Sequence, residues 1–222
     1  MFTLSLCCTN LHLFSFTVSL HSHSLEPGNN KFQLKIVIMY KTVAWAKSSK
    51  DSDFSKIEIE RNVAGEKDVT FELKYCGICH TDVHIANNDL GMTHYPCVPG
   101  HELAGVVTSV GSKVTKVKVG DRVGVGCIVD SCMNCDGCKA GEEQLCAKGM
   151  TGTYNGDIKY GHIKTNTGWT FGGYSGSQTV NERYIIKIPD GFPLEAAGPV
   201  FCAGITMYSP LVHWNVSHKL PG

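Results

Sequence analysis

Four cysteines crowd the stretch CMNCDGCKAGEEQLC, residues 132–146, with two, two and seven residues between them. Thiols at that density serve disulfides, an iron–sulfur cluster or a structural zinc. Short C-x-x-C turns put neighbouring sulfurs on one side and the longer loop returns the fourth, so Cys132, Cys135, Cys138 and Cys146 suit one tetrahedral ion. The first three also match the start of a ferredoxin run, but that run closes after three residues on Cys-Pro. Here seven residues separate Cys138 from Cys146, and Ala147 follows. Disulfides between adjacent C-x-x-C thiols would be strained. A zinc held by four cysteines has no open position, so the expected role is to brace a loop.

A second set is scattered. Cys79 lies in YCGICHTDVH, His101 and Glu102 in VPGHELAG, and Cys202 in AGPVFCAGIT. One histidine and two cysteines can hold a catalytic zinc with its fourth position free for water or substrate. Each residue also has a plainer reading: Cys202 as a small buried apolar side chain, His101 as a satisfied core histidine, Cys76 with Cys79 as a redox pair. Residue types alone leave these alternatives open.

The elements that would position these residues are mainly strands. From Lys41 onward KIEIER, DVTFELKYC, LAGVVTSVG and KVTKVKVGDRVGVG alternate branched apolar with polar residues and are broken by Gly-Ser or Gly-Asp, the pattern of half-buried antiparallel strands. Residues 149–177 are rich in Gly, Thr and Tyr and predict a loop-dominated lobe with buried aromatics. After ERYIIKIPDGFP the chain turns Ala-rich and apolar at helical spacing, which predicts a second domain beginning near residue 190.

The chain has 222 residues, 42% of them apolar, enough for one sizeable core with part of another domain. Lys plus Arg and Asp plus Glu both number 20, so no basic excess invites nucleic acid. Eleven cysteines would suggest a disulfide framework in a secreted chain. The N-terminus does not favour secretion. No Lys or Arg precedes Lys31, and Ser, Thr, Asn and His interrupt the apolar residues, leaving them too polar for a membrane span. Residues 1–38 are expected to be a disordered or artefactual leader, with Met39 opening the first patterned strand, and the protein to be cytoplasmic without a membrane partner.

Together, CGICHTDVH, PGHELAGVVTSVGSKVTKVKVGDRVGVG, CMNCDGCKAGEEQLC, TFGGYSGSQTVNERYIIKIPDG and GPVFCAGITMYSPL resemble the zinc-dependent medium-chain alcohol dehydrogenases, in particular their cinnamyl-alcohol-dehydrogenase-like, NADP-preferring branch. The resemblance runs from about Met39 to Asn215. It implies a mainly β, GroES-like, partly open barrel with a structural-zinc lobe over residues 39–189, followed by the first helical segment of a Rossmann cofactor domain. It implies two zincs per chain and NADP as cofactors, a small alcohol or aldehyde as substrate, and a homodimer in full-length members.

By motif, Cys79, His101 and Cys202 would ligate the catalytic zinc, with Glu102 as the carboxylate that can approach the open position. Cys132, Cys135, Cys138 and Cys146 would hold the structural zinc. His80, Thr81 and Thr206 would lie near the nicotinamide, and Thr81, His84 and Asp89 match proton-relay positions, although a solvated loop also accounts for His84 and Asp89.

The sequence departs from the family after Asn215. A strand and Gly-rich pyrophosphate turn would follow, but the chain reads WNVSHKLPG, and no G-x-G-x-x-G occurs anywhere in it. The expectation is a fragment with a truncated cofactor domain over residues 190–222, inactive by itself. The alternative is a non-catalytic zinc-binding fragment that associates with a full-length relative.

Overall fold

A computed structural model describes residues 16–21, 35–163 and 165–216. Three antiparallel strands come first: β1 (Phe16–His21) pairs with β2 (Lys35–Ala46), which pairs with β3 (Ser55–Asn62). For residues 16–21 and 35–38 this differs from the expected unstructured leader. KIVIMYKTVAWA is one run of β-branched and aromatic residues, and it continues as a strand through Met39, which faces Thr17 on one side and Asn62 on the other. The rest of the expected leader and residues 217–222 lie outside the described residues.

The chain continues through β4 (Asp68–Cys76), helix α1 (His80–Ala86), β5 (Leu103–Val110), β6 (Arg122–Val125) and β7 (Ile128–Asp130). A short helix α2 (Asp136–Lys139) and a 3-10 turn (Glu143–Leu145) precede β8 (Thr151–Gly152). Then come β9 (Ser177–Asn181), a 3-10 turn (Glu182–Tyr184) and β10 (Ile186–Lys187). The last described segment is helical: α3 (Leu194–Pro199), a π-helical turn (Val200–Gly204) and α4 (Ile205–His213).

Five strands form the central antiparallel sheet in the order β10-β6-β5-β4-β9. Alternation along them turns Val69, Phe71, Leu103, Val107, Val123 and Val180 into one core. A second core joins Ala44, Ala46, Ile59, Val98 and Phe171. The segment before β9 ties the two sheets together: Trp45 N–H donates to the Tyr174 carbonyl at 2.8 Å, and Gly176 N–H to the Val43 carbonyl at 2.9 Å. The fold is therefore mainly β, as the strand periodicity predicts, and the 149–177 stretch is mostly loop apart from β8 and the first residue of β9, with Tyr154 and Phe171 buried in it.

The helical segment after β10 packs back on this sheet. At Gly124 of β6 a Cβ would lie 1.9 Å from the ring of Phe201, so only glycine lets the π turn settle there. Elsewhere the cores carry the stability. Phe71 is fully buried at the centre of the larger one. Phe71→Ala is expected to cost about 3–5 kcal/mol, read as a lowered urea midpoint with an unchanged slope.

Candidate metal centres

β4 ends at Cys76, and the chain turns through Gly77 to Cys79, which caps α1. Asp82, three residues on, accepts the Cys79 N–H at 3.0 Å, the carboxylate half of a capping box. The same carboxylate takes the Gly100 N–H at 3.1 Å, the His101 Nδ1 at 3.0 Å and the Tyr174 hydroxyl at 3.2 Å. His101 thereby has Nδ1 engaged and turns Nε2 to the Cys202 sulfur at 3.2 Å. Cys202 arrives on the π turn, 4.0 Å from the Cys79 sulfur. Such wide turns occur often at functional sites, and Pro199, which has no N–H, precedes this one.

Cys79, His101, Glu102 and Cys202 place their ligand atoms within 4.8 Å of one another. Glu102 reaches the cluster because residue 77 has no side chain: a Cβ on Gly77 would stand 1.9 Å from the Glu102 Oε2.

The electrostatics fit a cation. Burial works to raise the Asp82 pKa, but His101 and the Cys79 N–H outweigh it and hold the carboxyl below its ordinary value. Burial pulls His101 down, yet Asp82 leaves it raised. For Cys79, burial is overcome by hydrogen bonds from Thr81 and His101, which favour the thiolate. Cys202 is pushed up, first by burial and then by the Cys127 and Cys79 sulfurs. A cation among these sulfurs would relieve that repulsion. Two sulfurs, an oriented imidazole nitrogen and a nearby carboxylate form the donor set of a zinc with one exchangeable position.

The second cluster sits in the loop between β7 and β8. Cys132, Cys135, Cys138 and Cys146 also lie within 4.8 Å of one another. Their sulfurs are 3.9 Å apart for Cys132 and Cys138 and 3.5 Å for Cys135 and Cys138. A tetrahedral zinc about 2.3 Å from each sulfur would set them about 3.8 Å apart, whereas a disulfide needs about 2.05 Å. Backbone N–H groups point at the sulfurs: Cys135 to Cys132 at 3.4 Å, Ala147 to Cys135 at 3.4 Å, and Cys132 to Cys146 at 3.5 Å. Backbone N–H groups of Cys138 and Ala147 bring the Cys135 thiol down to about 6. Ser131 draws Cys138 down, but burial and the neighbouring sulfurs hold it at about 11. Arg183 fastens the lobe to the barrel through the Cys138 carbonyl and Glu143.

Of the remaining expected site residues, Thr81 Oγ1 lies 3.6 Å from the Cys79 sulfur. His84 Nδ1 meets Asp89 at 2.8 Å, and its ring packs 4.6 Å from that of His80. Thr206 donates its hydroxyl to the Cys202 carbonyl at 2.8 Å, within its own helix, and no hydrogen bond among the described residues joins it to His80 or Thr81.

Sequence reasoning missed Asp82, Tyr174, and Tyr154, whose ring stacks 5.7 Å from His101. The C-x-x-D spacing of Cys79 and Asp82, read as a capping box, was the available signal for Asp82. Nothing local pointed to the tyrosines.

Two outcomes follow from this geometry. Asp82→Asn should weaken zinc binding at the Cys79 cluster about 10–100-fold, measured by chelator competition, because His101 loses its carboxylate partner. In the chelator-stripped chain Cys135 should alkylate ahead of Cys138, and should stay reactive as pH falls toward 6, where an ordinary thiol is already protonated. Mass spectrometry of iodoacetamide-treated peptides reads that order.

Comparison with known proteins supplies the context. Residues 65–190 match the family described as Alcohol dehydrogenase GroES-like domain. The chain is 54% identical over 173 residues to NADP-dependent alcohol dehydrogenase C 1 of Mycolicibacterium smegmatis, covering 78% of this chain and 48% of that protein. It is 47% identical over 170 residues to cinnamyl alcohol dehydrogenase 8 of Arabidopsis thaliana, covering 76% and 45%. Among solved structures it resembles a cinnamyl alcohol dehydrogenase of Sorghum bicolor, with TM-score 0.74, 40% identity, and 79% of this chain and 48% of that one covered. A Helicobacter pylori enzyme of the same type, complexed with NADP(H), gives TM-score 0.73 at 40% identity, covering 79% and 49%. The chain thus spans about half the length of the curated relatives it matches. It belongs to the zinc-dependent medium-chain alcohol dehydrogenases, in their cinnamyl-alcohol-dehydrogenase-like branch, and residues 65–190 are its GroES-like domain.

Proposed function

We propose that this chain carries the metal centre of an NADP(H)-dependent enzyme that interconverts primary alcohols and aldehydes. The observation that carries the reading is the difference between the two clusters: the loop cluster closes four sulfurs on one point, while the cluster at Cys79 offers one nitrogen and two sulfurs with a carboxylate beside them. The first braces a lobe. The second leaves a position for a small oxygen ligand.

Cys79, His101 and Cys202 would hold a catalytic zinc and Glu102 would stand at its exchangeable position; Cys132, Cys135, Cys138 and Cys146 would hold a structural one, two zincs per chain. Bound at the first site, zinc would make an alcohol's hydroxyl proton easier to lose or polarise an aldehyde's carbonyl toward hydride. NADP(H) supplies or accepts the hydride. The chain's own residues do the rest. Asp82 keeps His101 in one tautomer and one orientation. The Thr81 hydroxyl, beside Cys79, would take the proton from the reacting oxygen and pass it toward His84, which contacts Asp89. His80, Thr81 and Thr206 would face the nicotinamide.

NADP is favoured over NAD because NADP-dependent relatives are among the most similar proteins, and a homodimer is the assembly we propose for the complete enzyme. Among the described residues no helix is long and apolar enough to cross a membrane. The balanced charge gives no reason to invoke nucleic acid, and we propose a cytoplasmic setting.

Turnover tests the reading. The chain joined to the C-terminal half of the Mycolicibacterium relative should bind zinc and reduce cinnamaldehyde or benzaldehyde with NADPH. Cys79→Ser or His101→Gln should reduce kcat/KM by more than about 1,000-fold while NADPH binding, followed by fluorescence, persists. A Cys79→Ser protein that keeps its rate would remove the catalytic role. Zinc binding without turnover in the joined protein would favour a non-catalytic zinc-binding chain.

A further inference from the structure

A histidine that binds a metal must hold its ring plane as well as its tautomer. The Nε2 lone pair of His101 lies in that plane, so a swing of the ring carries the metal away from the sulfurs of Cys79 and Cys202. A working metal site tolerates about 10–20° of such error. Asp82 does not set this limit alone. It holds Nδ1 by one hydrogen bond at 3.0 Å, and a bond of this kind weakens steeply only below about 120° at the hydrogen. The torsion about the histidine Cβ–Cγ bond is itself broad. Nε2 faces the Cys202 sulfur at 3.2 Å, but a thiol is a weak hydrogen-bond partner.

Tyr154 supplies the missing constraint. Its ring lies 5.7 Å from that of His101 with 19° between the planes, an offset stack in the range of favourable aromatic pairs. Both residues are buried. Tyr154 is itself held in place: Thr153 N–H donates to the Cys127 carbonyl at 3.0 Å and Asn155 N–H to the Thr170 carbonyl at 2.9 Å, which pins the backbone on both sides. Its side chain packs with Ile85 of α1 and with Cys97. The hydroxyl has no comparable role. It lies near the Asp82 carboxylate without a well-aligned hydrogen bond, and burial, then the Asp82 charge, push its pKa far up, so it stays neutral. A buried hydroxyl left unpaired is a cost, and the ring face is the part that serves the site.

We propose that Tyr154 is a positioning residue of the metal centre: the face of its ring fixes the plane of the His101 imidazole, as Asp82 fixes its tautomer, and so aims Nε2 at the point where Cys79 and Cys202 converge. The inference rests on the metal-centre reading above. It gives the loop after β8, which leads away from the four-sulfur lobe, a part in the geometry of the other cluster.

Cadmium NMR of the cadmium-loaded chain reads the two clusters separately, because nitrogen and oxygen donors move the resonance away from that of four thiolates. Tyr154→Leu should shift or broaden the mixed-donor resonance and leave the four-sulfur resonance in place, and a chelator should strip the mixed-donor cadmium at about 3–10-fold lower concentration than in the wild type. Tyr154→Phe keeps the ring and should match the wild type in both respects. A Tyr154→Leu protein that melts lower but keeps the wild-type mixed-donor resonance and affinity would make the residue ordinary core filling and overturn the proposal. So would a Tyr154→Phe protein as impaired as Tyr154→Leu, since the role would then belong to the hydroxyl. Absence of any mixed-donor resonance in the wild type would overturn the metal-centre reading, and this inference with it. If Tyr154→Leu does not fold, the His101 ring protons of the wild type decide: the stacked phenol ring should move them upfield of those of an ordinary metal-bound histidine, and unshifted protons would sink the proposal.

Discussion

The carboxylate of Asp82 is bound by four donors from three segments of the chain: the Cys79 N–H, the Gly100 N–H, the His101 ring and the Tyr174 hydroxyl. It is 2% exposed, and a buried charge survives only when its lone pairs are taken up in this way. Each donor belongs to a segment that the metal centre needs. The cap of α1 brings Cys79, residues 100–101 bring the imidazole, and the 171–175 segment closes the barrel between the two sheets. Losing the carboxylate would leave these four donors unpaired at once, two of them buried, so the hub couples ligand geometry to the fold itself.

The two clusters differ in how the chain assembles them. The four sulfurs of the loop lobe come from one stretch of 15 residues, where short turns and backbone N–H groups aimed at sulfur do most of the work. The other cluster joins Cys79 to Cys202 across 123 positions of sequence. Closing that distance requires the whole central sheet, a glycine at position 124 to admit Phe201, and a π turn to aim the last sulfur. A locally closed site can brace a lobe independently; a site assembled from afar depends on the sheet that carries it.

Charge follows the same division. In the loop lobe, dipoles of the backbone lower Cys135, so the thiolate is prepared by local conformation. At the distant cluster the thiols oppose each other, Cys79 drawn down by its partners and Cys202 pushed up by burial and neighbouring sulfurs. That opposition arises only once tertiary contacts have forced the sulfurs together, and it makes the cluster a receptor for a cation.

Strand periodicity determined the β-rich core, because alternate residues of a half-buried strand must alternate in polarity, and the packing of Val69, Phe71 and Leu103 follows from it. The cysteine spacings determined the loop cluster because all four sulfurs come from 15 consecutive residues. The strand through Met39 begins at Lys35, ahead of the expected start, since the KIVI run before it carries the same β-branched signal. Residue types left Cys79, His101 and Cys202 open as a site and only the family resemblance grouped them, because nothing in their local sequence states that they meet. The orientation of His101 by Asp82, the room left at Gly77 for Glu102 and the π turn beneath Cys202 were settled by tertiary structure alone. Each depends on contacts between segments far apart in the chain, which only the folded sheet brings within bonding distance.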